Sequence, residues 1–148
     1  MEERVVIYLD QLRKRGRCDL ATNPETDLSI LTHLALDKDF EVRKGVAGNP
    51  RTSVDILQVL LKDGDEEVRA MAVRNKNLPI EDAVSAVRDP AWYVRDALVS
   101  REDCPKHILM VLKFDPVDFV TRKAKRLLKL DENENGEYEK ENMNEKEI

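Results

Sequence analysis

A 26-residue period runs through most of this 148-residue chain and restricts its possible folds more than any other feature. The dipeptide Val-Arg recurs as Val42-Arg43, Val68-Arg69 and Val94-Arg95, with Val120 one period further on, and Asp37, Asp63, Asp89 and Asp115 repeat in the same phase. Four residues after each of these valines stands Val46, Ala72, Leu98 or Ala124. The second half of the unit carries Ile30-Leu31, Ile56-Leu57, Asp82-Ala83 and Ile108-Leu109, and Leu34, Leu60, Ala86 and Leu112 complete it. The columns extend backward, where Arg17, Leu20, Ala21, Asn23 and Pro24 match Arg43, Val46, Ala47, Asn49 and Pro50, and Val5 and Leu9 continue them into the N-terminus. A unit this small cannot bury a core alone, so it must stack on its neighbours.

Each period reads as two short helices. The repeated Asp is expected as the N-cap of the first, with Pro90 or Pro116 at the first helical position, where a missing N–H is harmless. Apolar residues three, four and seven apart follow, and the helix is expected to stop near Asn49, Asn75 or Arg101. Pro50, Pro79 and Pro105 mark connectors, after which the second helix uses the spacing of Ile56, Leu57 and Leu60. The expectation is about ten helices, most of about ten residues, in an all-α, right-handed α-solenoid of two-helix repeats.

Asp89-Pro90-Ala91-Trp92-Tyr93-Val94-Arg95-Asp96-Ala97-Leu98 resembles the first helix of a HEAT-type repeat. Val42-Arg43-Lys44-Gly45-Val46-Ala47-Gly48-Asn49-Pro50 is closer still to the leucine-rich repeat variant family. The similarity covers roughly residues 12 to 128 and implies compact repeats in a right-handed superhelix. Some members of that family carry an N-terminal iron-sulfur cluster on a group of cysteines. This chain has Cys18 alone in that region, so the feature is not carried over.

Composition narrows the functional classes. No uninterrupted apolar run is longer than the five residues of Val5 to Leu9, too short for a membrane span or an ordinary signal peptide, and a cytoplasmic protein is expected. Cys18 and Cys104 lack CxxC spacing and read as reduced structural thiols. The net charge of −5 is unevenly spread: residues 131–148 hold eight acidic and two basic side chains, a net −6, which leaves +1 for residues 1–130. The division expected is therefore a solenoid over 1–130 and an acidic, flexible tail over 131–148, which either solvates the terminus or reversibly covers Arg122, Lys123, Lys125, Arg126 and Lys129. A nearly neutral body gives no bulk attraction for nucleic acid.

The residues with chemical potential mostly read as structural. A helical wheel, at about 100° per residue, puts Arg43, Arg69 and Arg95 near the middle of the buried face. A charge there needs a partner, and Asp37, Asp63 and Asp89 offer an Asp–Arg ladder between repeats, with Thr121 replacing the Arg where no further repeat is joined. His33 and His107 stand at different phases without ligand-spaced companions, so no metal or cofactor is expected. The chain has no glycine-rich phosphate loop, GxSxG or HExxH, and Ser53, Ser85 and Ser100 lack repeated His or acid companions, so no catalytic residue is assigned. Trp92 and Asp96, four residues apart, allow one enzyme alternative, since HEAT-like folds include alkylpurine DNA glycosylases that use an aromatic and an acid in a cleft.

Subtracting the buried arc from the first helices leaves Met71, Tyr93 and Phe119 as a diagonal apolar strip, edged by Glu67 and Asp96. Contiguous exposed apolar surface marks interaction sites. The alternative, that each is isolated or covered by a neighbouring loop, stays open at this point. A second face, with Leu36, Lys62, Arg88 and Phe114 in one column and His33, Val59, Ser85 and Val111 in another, is the other candidate surface. The reading is a non-catalytic scaffold binding an unidentified protein partner, with a nucleic-acid binder or a glycosylase-like enzyme as alternatives.

Overall fold

The computed structural model describes residues 7–9 and 11–129, and all regular structure among them is helical. The elements are α1 (Lys14–Thr22), α2 (Leu28–Leu34), α3 (Phe40–Gly48), α4 (Val54–Leu60), α5 (Glu66–Arg74), α6 (Ile80–Ala83) continued by a 3-10 turn (Val84–Arg88), α7 (Trp92–Val99) and α8 (Lys106–Leu112). Residues 118–129 form a further helix, α9. The expected tail, 131–148, lies outside the described residues. No described helix is long and apolar enough to cross a membrane.

The α-helices up to α8 run to nine residues at most, shorter than the sequence suggests. Helices of this length are marginal in isolation and depend on their neighbours. Alternate helices pack in chain order, α1 on α3, α3 on α5 and α5 on α7, while α2, α4 and α8 pack beside them. The core follows the sequence columns: Leu31, Val42, Val46, Leu57, Leu60, Val68, Val94, Leu98 and Val120 are all but sealed from solvent. Residues 80–88 depart from the pattern. Where Ile56, Leu57 and Leu60 fill α4, this segment has Asp82, Ala83 and Ala86, and the smaller volume is met by a short helix that tightens into the 3-10 turn.

The helix starts need correction. Asp37, Asp63 and Asp89 are not N-caps: α3, α5 and α7 begin after Asp39, Asp65 and Ala91, and Pro90 precedes its cap instead of occupying the first helical position. Each repeated Asp instead accepts the backbone N–H two residues on, at Asp39, Asp65, Ala91 and, for Asp115, Val117. That local turn leaves the carboxylate facing back toward the preceding helix pair.

There it meets an arginine. Arg43 donates from Nε to Asp63 at 2.7 Å and from Nη2 at 3.0 Å, Arg69 does the same to Asp89 at 2.7 and 2.9 Å, and Arg95 to Asp115 at 2.5 and 2.9 Å. Arg17 and Asp37 form a fourth such pair, at 2.6 and 3.4 Å. The remaining Nη1 donates to a carbonyl in the same period: Asp37 for Arg43, Asp63 for Arg69, Asp89 for Arg95. Thr121, where the arginine column ends, keeps only that inner bond, its hydroxyl donating to the Asp115 carbonyl at 2.7 Å.

A second seam runs along the other end of the same helices. The Asn49 amide donates to the carbonyls of Ala21 and Asn23, and the Asn75 amide to those of Ala47 and Asn49. Arg101, in the same column, reaches the carbonyls of Val73 and Asn75 instead. The residues that end the helices in sequence therefore also tie each helix end to the previous one.

The Asp89 carboxyl shows the balance in the ladder. Burial pushes its pKa up, but the Arg69 guanidinium, the Ala91 N–H and the charge of Arg95 outweigh this and hold it below the usual carboxylate range. Arg69 and Asp89 are 14% and 10% exposed, so Arg69→Ala should destabilise the fold by about 3 kcal/mol, the scale for breaking a buried pair. Arg74→Ala, on the surface, should change stability by no more than about 0.5 kcal/mol. A depressed carboxyl stabilises fully above its unfolded value, about 3.9, and this is lost as pH falls through the lower folded value. The gap in urea midpoint between wild type and Asp89→Asn should therefore be wide near neutrality and narrow progressively below about pH 4.

Candidate interaction surface

The apolar strip expected from the helical wheel does not stand on the surface as drawn. Met71 is half-buried: its Cγ and Sδ lie where a Cβ on Gly48 would sit 3.3 Å away, so the side chain fills the space that this glycine leaves on α3. Tyr93 is also half-buried and packs on the core. Burial, then the neighbouring Glu66 carboxylate, pushes its hydroxyl pKa up to about 12. Asp96 is 8% exposed, with Lys123 at 2.8 Å and Arg74 at 3.6 Å from its carboxylate. Phe119, 53% exposed, and Glu67, exposed and paired with Lys44 at 2.5 Å, do face solvent. The physical reason is the packing of α1, α3, α5 and α7 on one another, which buries the flanks of each helix as well as its inner edge.

A neighbouring column supplies the aromatic surface. Trp92, at the first position of α7, is 44% exposed and meets Phe119 edge-to-face at 6.0 Å between ring centroids, while Tyr93 lies 5.7 Å from Trp92 on another side. Phe40 holds the matching position of α3 and is 37% exposed. On the other candidate face Leu36, Val59, Val111 and Phe114 are exposed.

The basic cluster on α9 is also divided. Lys123 donates to Asp96 and to the Ser100 hydroxyl, and Arg122 pairs with Asp118 at 2.8 Å, which leaves Lys125, Arg126 and Lys129 at the exposed side. The Ser100 hydroxyl itself donates to the Asp96 carbonyl, and the Lys123 ammonium that reaches it is shared with the Asp96 carboxylate. Asp96, with two cationic partners, is not the free acid that a glycosylase-like Trp92–Asp96 pair requires. His33 and His107 are exposed, and among the described residues no group of three or more His, Cys, Asp or Glu could hold a metal. Burial raises the Cys104 thiol to about 11 and, with the nearby Asp39 and Glu41 charges, raises that of Cys18, so both stay protonated at neutral pH.

Compared with protein-family models, curated proteins and solved structures, the chain matches none.

The close contacts between first helices pair small residues with larger ones: Gly45 against Thr22, Met71 against Gly48, Lys123 against Ser100. A Cβ on Gly45 would meet the Ala21 Cβ at 3.0 Å with the Ala21 backbone behind it, whereas one on Gly48 meets only the Met71 side chain. Gly45→Ala should thus lower the thermal midpoint, its overpacking, about 1–3 kcal/mol, exceeding the helix-propensity gain of about 1 kcal/mol. Gly48→Ala should leave the midpoint unchanged or raise it, because Met71 can swing aside. Equal shifts would contradict the close approach at Gly45.

Proposed function

We propose that the chain is a right-handed α-solenoid of two-helix repeats with a 26-residue period, like the HEAT and leucine-rich repeat variant proteins that it resembles, and that it acts as a non-catalytic protein-binding scaffold. The observation that carries this reading is the division of labour among side chains. The recurrent Arg, Asp and Asn residues hydrogen-bond one helix pair to the next, while the large side chains left at the surface on the first-helix edge are aromatic, Trp92 and Phe119. Aromatic residues dominate binding hot spots because they bury much area with few rotatable bonds. The cytoplasm is the compartment proposed, since Cys18 and Cys104 are both free thiols.

The test is affinity capture from the source organism with three baits: wild type, Trp92→Ala/Phe119→Ala, and Phe114→Ala, which removes an aromatic that is 78% exposed on the other face. Wild type and Phe114→Ala should retain the same protein and the double variant should lose it, with helical circular dichroism unchanged in all three. Equal retention by all three would move the interface elsewhere. A wild-type bait that retains no protein would overturn the scaffold reading.

A further inference from the structure

The ends of the second helices carry unpaired cations, one in every period. Lys38 follows α2, Lys62 follows α4, Arg88 closes the 3-10 turn after α6, and Lys113 caps α8. Among the described residues no carboxylate pairs with any of the four. The carboxylates nearest them in sequence are engaged elsewhere: Asp37, Asp63, Asp89 and Asp115 by the ladder arginines, Asp39 and Glu41 by Lys14. Asp65 is the exception, and its carboxylate accepts the N–H groups of Glu67 and Val68. A helix C-terminus favours a cation, which accounts for the residue type but leaves the charge open to solvent.

The same edge is apolar between the charges. Leu36 and Phe114, 76% and 78% exposed, are the most exposed large apolar side chains among the described residues, and Val59 and Val111 are also more than half exposed. Two clefts of about 290 Å³ each open at equivalent places three periods apart, one beside Leu36, Lys38 and the Arg17–Asp37 pair, the other beside Arg88, Phe114 and the Arg95–Asp115 pair. Each is lined by apolar side chains, a ladder pair whose charges cancel, and one cation without a carboxylate.

We propose that this edge docks an extended acidic segment of a partner protein, with a carboxylate at about every third residue and apolar side chains between. The four unpaired cations set the sign of the ligand. Their spacing sets its form: packed helices stand about 8–10 Å apart, which an extended chain covers in about three residues at about 3.3 Å each. The clefts and exposed aliphatic groups are matched by apolar residues between the acids. Nucleic acid fits less well, because Leu36, Val59 and Val111 offer bases no ring to stack on, and the Phe114 ring has the Lys113 ammonium 5.1 Å from its centroid. The surface lies on the second helices, apart from the Trp92–Phe119 edge, and its register rests on the stacked-repeat scaffold reading.

A labelled peptide of about twelve residues, repeating Glu-Leu-Ser, spans the four cations at that rise. Its binding to the full chain is followed by fluorescence anisotropy. It is compared with a peptide of the same composition whose glutamates are grouped at one end, one with serine for leucine, one with lysine for glutamate, and a single-stranded oligonucleotide. The spaced acidic peptide should bind saturably and lose affinity as salt rises. The grouped and leucine-free peptides and the oligonucleotide should bind several-fold weaker, and the lysine peptide not at all. Lys62→Glu/Arg88→Glu should weaken binding about tenfold, the scale of two exposed charge pairs reversed. Lys76→Glu/Lys125→Glu makes the same change in net charge at exposed positions off this edge and should leave affinity within about twofold. If the first double variant lowers the helical circular dichroism, Lys62→Gln/Arg88→Gln decides, with a several-fold loss expected. No saturable binding, equal affinity for the grouped or leucine-free peptide or the oligonucleotide, or an equal loss in Lys76→Glu/Lys125→Glu would overturn the proposal. Capture through Trp92 and Phe119 reads the other edge, so peptide binding can fail while the scaffold reading stands, and the reverse.

Discussion

Everything in this fold hangs on a guanidinium that bonds in two directions. A helix of seven to nine residues has too few internal hydrogen bonds to hold itself together in water. Arg43, Arg69 and Arg95 each fasten the turn that begins their own helix, through a backbone carbonyl, and the turn that begins the next, through a carboxylate. The carboxylate in turn orders the backbone two residues along. Fork-shaped donors on a fixed plane are required for this, and a lysine, with one nitrogen, could not span it. The desolvation that makes a half-buried charge costly is offset because the Nε and both Nη groups of each guanidinium find an acceptor. Among the described residues no buried side-chain nitrogen or oxygen lacks a partner.

The asparagine seam complements this at the far end of the same helices. Helix C-termini leave carbonyls without intrahelical donors. Here the carbonyls of Ala21 and Ala47 receive the side-chain amide of Asn49 and Asn75 from the following helix, so a terminal defect becomes a joint. With both ends pinned, the surfaces between helices must fit closely, which is why glycine and alanine stand where backbones approach.

How far the sequence carries this can be seen residue by residue. The pairing of repeated arginine with repeated aspartate is legible, because a wheel puts Arg69 toward the interior and an interior charge demands a counter-charge in every period. The helix start is not, because Asp37-Lys38-Asp39 and Asp63-Gly64-Asp65 each offer two capping candidates, and only the fold decides which one the arginine takes. The asparagine seam is hidden by a sufficient local explanation, that asparagine ends helices, and by Arg101, which breaks the column. The surface is misread because a single wheel has one buried arc, whereas a helix flanked on both sides has three. Gly45 and Ala97, one period either side of Met71, carry the available signal: small residues in that column mark the close approach of another helix.

The series Gly45 with Thr22, Met71 with Gly48 and Lys123 with Ser100 gives the helix pairs an address. Identical joints would let any unit follow any other, and duplication or loss of a unit would go unnoticed. Here a copy of the Met71 helix set after itself would drive methionine onto Arg74, and a copy of the Gly45 helix would leave glycine facing glycine across a void. The helices therefore fit one another in one order, and a rearranged set would carry its own misfit at the joint.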